Sequence, residues 1–410
     1  MKNKVYWVIC ICPLWLFLSN CVDKFNAHLP ESSIGLLIVE GSIISDSAVV
    51  FSLSRSFSLD VEGVPPDFNK VDAEVCVTGE DGSSFRGVAL GNGKYRVAVG
   101  TLHRDVRYSL KIVYEGDIYT SEPQYPIGTE SIDDVTYEQQ GEYGDVSIRF
   151  SMQSKDAACY SWSYEEDWEV RAVYNPMCAY DPETDKIVDY DARPYSRGWC
   201  HSESSEIIIG NMEINKDNRV KDKCLYSIEA DDIRFSCYYS TIVKQRKISK
   251  GEYEYYQEKI KLNEEMGGLF VPQPSELPSN IRCESSNKQA IGYVGVSLNV
   301  AEYRIFISTD DIQYRLPEGY CQGAKGLKEE YTFLDLYLMG YTIAYPDPDP
   351  RTGFKGYAWV SGGCTDVRYL GASLEKPSFW PVEINLFFTI KAAIFRKYNI
   401  KVIMLSQSMD

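Results

Sequence analysis

The chain has 410 residues, with 59 Asp and Glu against 42 Lys and Arg, for a net charge of −17 at neutral pH. So acidic a surface repels nucleic acid and anionic head groups, which excludes DNA and RNA as expected partners and reads as a solvated acidic face. The length suffices for two or three domains with real cores.

Residues 1–20 read as an export leader. Lys2 and Lys4 form a basic start, and Val5–Leu18 is uncharged and apolar, too short for a membrane span, which needs about 20 apolar residues. Leu18-Ser19-Asn20-Cys21 fits a bacterial lipobox, so Cys21 is the expected lipidation site and membrane anchor. The cysteine is needed there because its sulfur is alkylated by a diacylglyceryl group before cleavage. Losing the leader removes two lysines and no acids, taking the charge from −17 to −19. Residues 21–33 form a polar tether.

Strand signals fill residues 34–126. Val49, Phe51, Leu53, Arg55 and Phe57 alternate with mostly serines, and Ala73–Val77 leads into the hairpin signal Glu80-Asp81-Gly82. Gly91-Asn92-Gly93 divides Arg86–Leu90 from Lys94–Val99, and Val106–Val113 and Asp117–Ser121 follow. Short alternating strands at regular turn spacing predict an immunoglobulin- or prealbumin-like β-sandwich. Pro123, Pro126 and Gly128 mark its expected end.

Residues 127–381 are expected to form a larger β-rich domain with one or two short helices, so the chain as a whole is mainly β. Val146–Met152, Tyr160–Tyr174, Glu206–Ile209, Ser236–Lys247 and Gly292–Ile307 have strand character. Asn175–Cys200 reads as a long polar loop. Ser249-Lys250-Gly251-Glu252 is a capping box opening a helix with Tyr253, Tyr256 and Ile260 on one face and Gly267-Gly268 as its stop. Glu329–Leu338 suits a short helix or a strand. Tyr345–Pro350, with a proline at every second position, reads as an exposed loop. Residues 382–410 form an atypical C-terminal extension whose apolar run Leu386–Ile390 is too short to span a membrane.

The search for reaction chemistry is mostly negative. His28, His103 and His201 lack H-E-x-x-H spacing, the last two fall in apparent turns, and neither G-x-S-x-G nor a P-loop occurs. Ser285-Ser286-Asn287-Lys288 matches S-x-x-K without the companion motifs and reads as a polar loop. Asp347-Pro348-Asp349 has calcium-like spacing, but Arg351 takes the next ligand position, which favours a stiff solvated loop. Glu165-Glu166-Asp167 either contacts a cationic ligand or, the simpler reading, faces water at a strand end. Trp162, Trp168, Trp199, Trp359 and Trp380 read as core or interface residues, although aromatics also make stacking platforms for sugars or peptides. No catalytic residue, cofactor or metal site is expected.

The order of landmarks resembles the domain of unknown function 4249 family, a group of Bacteroides-type outer-membrane lipoproteins. The matching pieces run from Cys21 and Ile38–Ile43 through Ala73-Glu74-Val75, Tyr108–Ile112 and Tyr119-Thr120-Ser121 to Tyr160-Ser161-Trp162. They continue through Gln245–Tyr253, Gly268-Leu269-Phe270, Pro274-Ser275, Asn280-Ile281 and Gly292-Tyr293-Val294. The most specific part is Cys364, Asp366 and Arg368, then Gly371 and Lys376-Pro377-Ser378-Phe379-Trp380-Pro381. Two departures stand out: Val367 replaces the second cysteine of the family's C-x-D-C-R element, and Trp199-Cys200 reverses its usual order. The resemblance implies an accessory or ligand-binding role beside a TonB-dependent transporter in nutrient uptake, with no catalytic assignment. The expected partners are therefore the membrane, such a transporter, and a small-molecule, peptide or glycan ligand. A structural or adhesin-like envelope protein is the alternative, and a polymer hydrolase stands third.

Nine cysteines follow Cys21: Cys76, Cys159, Cys178, Cys200, Cys224, Cys237, Cys283, Cys321 and Cys364. An odd number leaves at least one free. Cys321 and Cys364 are the expected disulfide: both follow Gly or aromatic turn residues near the C-terminus, and the usual neighbour at Val367 is absent. Closing such a loop contributes about 3–4 kcal/mol in the chain-entropy picture. The ligand- or partner-facing surface is expected on the long segments Asn175–Cys200 and Tyr345–Gly356 rather than on the first sandwich.

Overall fold

The computed structural model describes residues 35–56, 68–212, 216–265, 277–321, 331–347 and 356–381. The leader, Cys21, the tether, Phe57, the helix stop at Gly267-Gly268, Pro348–Lys355 and the extension from Val382 lie outside them. The chain divides into two compact units, one of residues up to Thr129 with Lys247–Val300, the other of Glu130–Arg246 with residues from Ala301 on. The sequence reading runs the second domain unbroken from residue 127. The structure instead returns Lys247–Val300 to the first unit.

The first-unit strands are β1 (Leu37–Glu40), β2 (Ile43–Ile44), β3 (Ser47–Arg55), β4 (Ala73–Gly79), β5 (Ser84–Gly91), β6 (Lys94–Val99), β7 (Tyr108–Tyr114) and β8 (Asp117–Ser121). The second unit supplies β9 (Asp134–Gln139), β10 (Val146–Gln153), β11 (Cys159–Arg171), β12 (Cys178–Asp181), β13 (Lys186–Asp189), β14 (Arg197–Glu203), β15 (Ile208–Asn211), β16 (Arg219–Ile228) and β17 (Tyr238–Ile248). Helix α1 (Lys250–Glu265), β18 (Ile281–Cys283), β19 (Ala290–Gly292) and β20 (Val296–Ser297) return to the first unit. The second is completed by β21 (Ala301–Ser308), α2 (Phe333–Leu338), β22 (Tyr341–Asp347) and β23 (Gly356–Ser361). The protein is mainly β.

In the first unit one continuous ladder, β18-β8-β7-β4-β5-β6-β3-β1-β19, forms two layers. Strand β5 changes layer midway: Ser84–Arg86 pair with β4, and Gly87–Gly91 with β6. Gly87 sits at the crossing, where a Cβ would lie 3.0 Å from the Val75 carbonyl oxygen. Alternation then does its usual work. Val49, Phe51 and Leu53 on β3 and Tyr95, Val97 and Val99 on β6 turn inward to one buried cluster with Val77, Leu110 and Ile112.

The returning segment completes both edges. Ile281 pairs antiparallel with Ser121 on β8, Ala290 runs parallel to Leu37 on β1, and Val296 runs parallel to Ile43 on β2. Open edges expose unpaired backbone groups, so closing them is the physical reason the segment belongs here. Buried Asn280 pins it, donating from Nδ2 to the Val294 carbonyl at 3.0 Å and accepting from the Val294 N–H at 2.9 Å. Ser249 caps α1 by accepting from the Glu252 N–H at 3.1 Å. The helix face that buries most deeply carries Glu252 and Tyr255; the expected face of Tyr253, Tyr256 and Ile260 is only half-buried.

The second unit holds a sheet ordered β14-β11-β17-β21, with β15 also on β11, and a three-stranded sheet β16-β10-β9. Phe150 and Trp162 meet at 5.0 Å in its core. Trp162 is buried without stranding its N–H, which donates to Gln245 at 2.9 Å. Two expectations change here. Asn175–Cys200 is not a polar loop but the ribbon β12–β13, a 3₁₀ turn at Arg193–Tyr195 and half of β14, with Tyr180 and Ala192 buried. Tyr345-Pro346-Asp347 is the end of strand β22, with Pro346 opposite Tyr357. A proline is tolerated because each strand of a two-stranded ribbon is an edge strand. Of the segment read as a short helix or a strand, Phe333–Leu338 form a helix, α2, opened by a capping box between Thr332 and Asp335.

Candidate functional site

A cavity of about 480 Å³ opens in the second unit. Its aromatic wall comes from six separated places: Tyr180 on β12, Tyr190 after β13, Tyr337 on α2, Tyr341 on β22, Trp359 on β23 and Tyr369 in the 3₁₀ turn Val367–Leu370. Packing of buried Tyr180, Leu336, Ile343 and Trp359, with Tyr341 against them, sets three of these rings in place. Tyr180 meets Tyr337 at 6.0 Å and Trp359 at 6.3 Å, both edge-to-face at 62°, a favoured geometry for ring quadrupoles. Its hydroxyl donates to Asp185 at 2.9 Å, fixing the ring from behind.

One corner is polar. Asp366 is buried and accepts from the Arg368 backbone N–H at 2.9 Å, from Nε at 3.0 Å and from Nη2 at 2.6 Å. The guanidinium also lies 3.7 Å from the centroid of the Tyr195 ring. The Asp366 hydrogen bonds push the Arg368 pKa up, so the guanidinium stays charged. The Thr342 and Thr365 hydroxyls meet at 2.7 Å on the same lining. Burial pushes the Tyr190 phenol up, keeping it neutral.

The turn that carries this corner is tightly built. Gly362 and Gly363 open it, and a Cβ on either would lie 2.6 Å from Tyr369 or 2.5 Å from Leu370. Cys364 follows and forms a disulfide with Cys321, with Cα atoms 5.5 Å apart. Tyr174 braces both half-cystines, donating its hydroxyl to the Cys321 carbonyl at 3.2 Å and its N–H to the Cys364 carbonyl at 2.9 Å. Of the C-terminal motif residues, Asp366 and Arg368 therefore line the cavity, and Cys364 anchors the turn that presents them.

The remaining motif residues do a different job. Trp380 is buried edge-on against Phe306 at 5.8 Å, and Phe379 stacks under the Arg304 guanidinium at 3.7 Å. Pro377 accepts from the Trp380 N–H at 3.0 Å, and Lys376 Nζ donates to the Pro381 carbonyl at 2.9 Å. They fasten the end of the described chain to β17 and β21. Val367 is fully buried in a small cluster with Cys200, a free thiol that burial pushes up in pKa.

The other sequence candidates resolve into structure. Glu166 and Asp167 do not face water: both are buried and paired, Glu166 with Arg234 and Asp167 with Arg304, each at 2.8 Å. Glu169 is also buried; burial pushes it up, yet Arg197 and Arg171 hold it below the usual carboxylate range. Glu165 pairs with Lys244. His201 lies on strand β14 rather than in a turn, its Nδ1 2.8 Å from Asp167, which raises its pKa. Lys288 of the S-x-x-K match is ion-paired with Asp117 at 2.7 Å, and Ser285 donates to the same carboxylate at 2.9 Å. A lysine held charged this way is no base for that serine. Trp162, Trp199, Trp359 and Trp380 are buried and Trp168 is half-buried. Among the described residues no three His, Cys, Asp or Glu gather as a metal site, and no helix is long and apolar enough to cross a membrane. Asp347 ends β22, and Pro348 and Asp349 lie outside the described residues.

The sequence profile of a domain of unknown function, DUF4249, matches residues 22–304. The chain belongs to this family. DUF4249 covers Tyr180 and Tyr190 of the aromatic wall, whereas Tyr337, Trp359, Asp366 and Arg368 lie beyond the matched span. No curated protein matches the chain. Among solved structures, a DUF4785 family protein from Legionella pneumophila is similar at 8% identity and a TM-score of 0.17. That similarity covers 51% of this DUF4249 chain and 52% of the other, and it carries no argument about fold or function.

Proposed function

We propose that the protein is a lipid-anchored outer-membrane lipoprotein that holds a ligand in its aromatic cavity as a non-catalytic accessory of a TonB-dependent uptake system. The single observation behind the binding role is the cavity itself, whose volume falls in the range of small-molecule sites, about 300–1,000 Å³. The leader and Cys21 support the anchor. The charged groups elsewhere in the second unit support a non-catalytic role, since Glu166, Asp167 and Glu169 are each neutralised by arginines.

Two measurements test this reading together. Cys21→Ser is expected to remove the acyl mass and release the chain from the outer-membrane fraction. Native detergent-solubilised protein is expected to bring a TonB-dependent transporter through affinity purification. A Cys21→Ser protein that stays in the membrane with unchanged mass overturns the anchor, and purification without any transporter overturns the accessory role.

A further inference from the structure

We infer that the cavity selects a neutral saccharide, an inference that rests on the reading of this cavity as the binding site. Charge comes first. Asp366 and Arg368 are the charged residues of the lining, and they neutralise each other through a forked pair of hydrogen bonds. A free cation would have to compete with Arg368 for Asp366, and an anion with Asp366 for Arg368. Either exchange strands one member of a strong charge-assisted pair.

The lining also excludes a purely apolar guest. Phenol hydroxyls, the Thr342–Thr365 pair and the ion pair share the surface with the rings, and covering them with hydrocarbon costs the hydration of every polar atom that keeps a free donor or acceptor site. What fits is an uncharged molecule with flat C–H faces for the rings and a rim of hydroxyls. A pyranose has both. Its vicinal hydroxyls donate and accept together, which suits a corner where a carboxylate acceptor and a guanidinium donor are adjacent. The edge-to-face setting of Tyr180 against Tyr337 and Trp359 presents ring faces in more than one plane, as a bent oligosaccharide requires and a single flat aromatic guest does not. Tyr337 and Tyr369 remain partly exposed, at 37% and 54%, so rings are available where a longer chain would leave the cavity.

The test is titration calorimetry on the full detergent-solubilised chain. The probes are maltohexaose, cellohexaose, xylohexaose, mannohexaose and laminarihexaose, with trigalacturonate and the tripeptide Gly-Tyr-Gly as charged comparators. Saturable binding of at least one neutral hexasaccharide is expected. Tyr369→Ala, at a position that is 54% exposed, with the fold checked by circular dichroism and thermal melting, is expected to weaken it about tenfold, the scale of one lost stacking ring. Tyr125→Ala, on an exposed tyrosine of the first unit, is expected to leave it unchanged. If the tripeptide or the uronate binds in a Tyr369-dependent way and no neutral sugar does, the saccharide inference falls while the cavity reading stands. If a sugar binds and neither Tyr369→Ala nor Tyr337→Ala changes its affinity, the cavity reading itself falls. Binding of none of the probes at millimolar concentration overturns the saccharide inference.

Discussion

Tyrosine is used in two ways in this protein. In the first unit, Tyr95 is buried and its hydroxyl is spent on the scaffold, donating to the Val71 carbonyl at 2.7 Å and accepting from the Ala73 N–H at 2.8 Å. Tyr108, fully buried, accepts from the His103 N–H at 3.0 Å. In the second unit, Tyr337 and Tyr369 keep part of their rings open at a cavity. The same side chain is a structural bolt where its polar tip has a backbone partner, and a cavity wall where its ring stays partly open. Aromatic content alone therefore locates no site; the exposure of a ring at a cavity does.

The contrast can be broken most forcefully in the sandwich core. Phe51→Ala empties a position that is 0% exposed and is expected to cost about 3–5 kcal/mol, read by urea denaturation. A loss below about 1 kcal/mol would mean that the two layers are not held by this core.

A finer test uses the two kinds of tyrosine directly. Tyr95→Phe removes a hydroxyl that serves two backbone groups and is expected to cost about 1–3 kcal/mol, because it leaves them buried without a partner. Tyr369→Phe is expected to stay within about 0.5 kcal/mol of the native protein. Equal costs at both positions would erase the distinction.

The smallest effect concerns pH. Asp167 raises the pKa of His201 above its ordinary 6.5. The stabilisation is therefore fully present below pH 6.5 and is lost as pH rises through the folded value. Because the His201 side chain is 51% exposed, screening keeps the contribution below about 1 kcal/mol. His201→Gln is expected to flatten the part of the stability–pH curve just above pH 6.5, measured by thermal melts in closely spaced buffers. An unchanged curve would show that Arg304 alone satisfies Asp167.

The sandwich strands are legible in the sequence because one face is buried and the period of two survives, as in the exposed-then-buried alternation of β6. The partners of its edge strands are not legible, since the pairing of Leu37 with Ala290 leaves no local pattern. The acids of β11 misread as solvent-facing for a related reason: their cations, Arg234 and Arg304, come from distant segments. Composition made Asn175–Cys200 look like a loop, although the burial of Tyr180 depends on Trp359 and Ile343 far along the chain. Within the cavity, Asp366 and Arg368 stand out in the sequence through the C-terminal resemblance, and Trp359 as an aromatic assigned to the core. Tyr190, Tyr337, Tyr341 and Tyr369 carry no signal that separates them from the other tyrosines.

The late return of the chain to the sandwich sets a timetable for biogenesis. Gln124 waits for the Val294 carbonyl, 170 residues downstream, while Leu37 on β1 waits for Ala290 on β19 and Ser121 on β8 for Ile281 on β18. Synthesis runs from the N-terminus, so the earliest strands emerge with both borders bare while Glu130–Arg246 of the second unit are still being made. Contacts of such long sequence separation form slowly, and bare strand borders recruit other chains. A nascent chain arrested between Glu130 and Arg246 is consequently an aggregation-prone sandwich with unpaired borders, and a cell that makes this protein has to shield those first eight strands until residue 297 arrives.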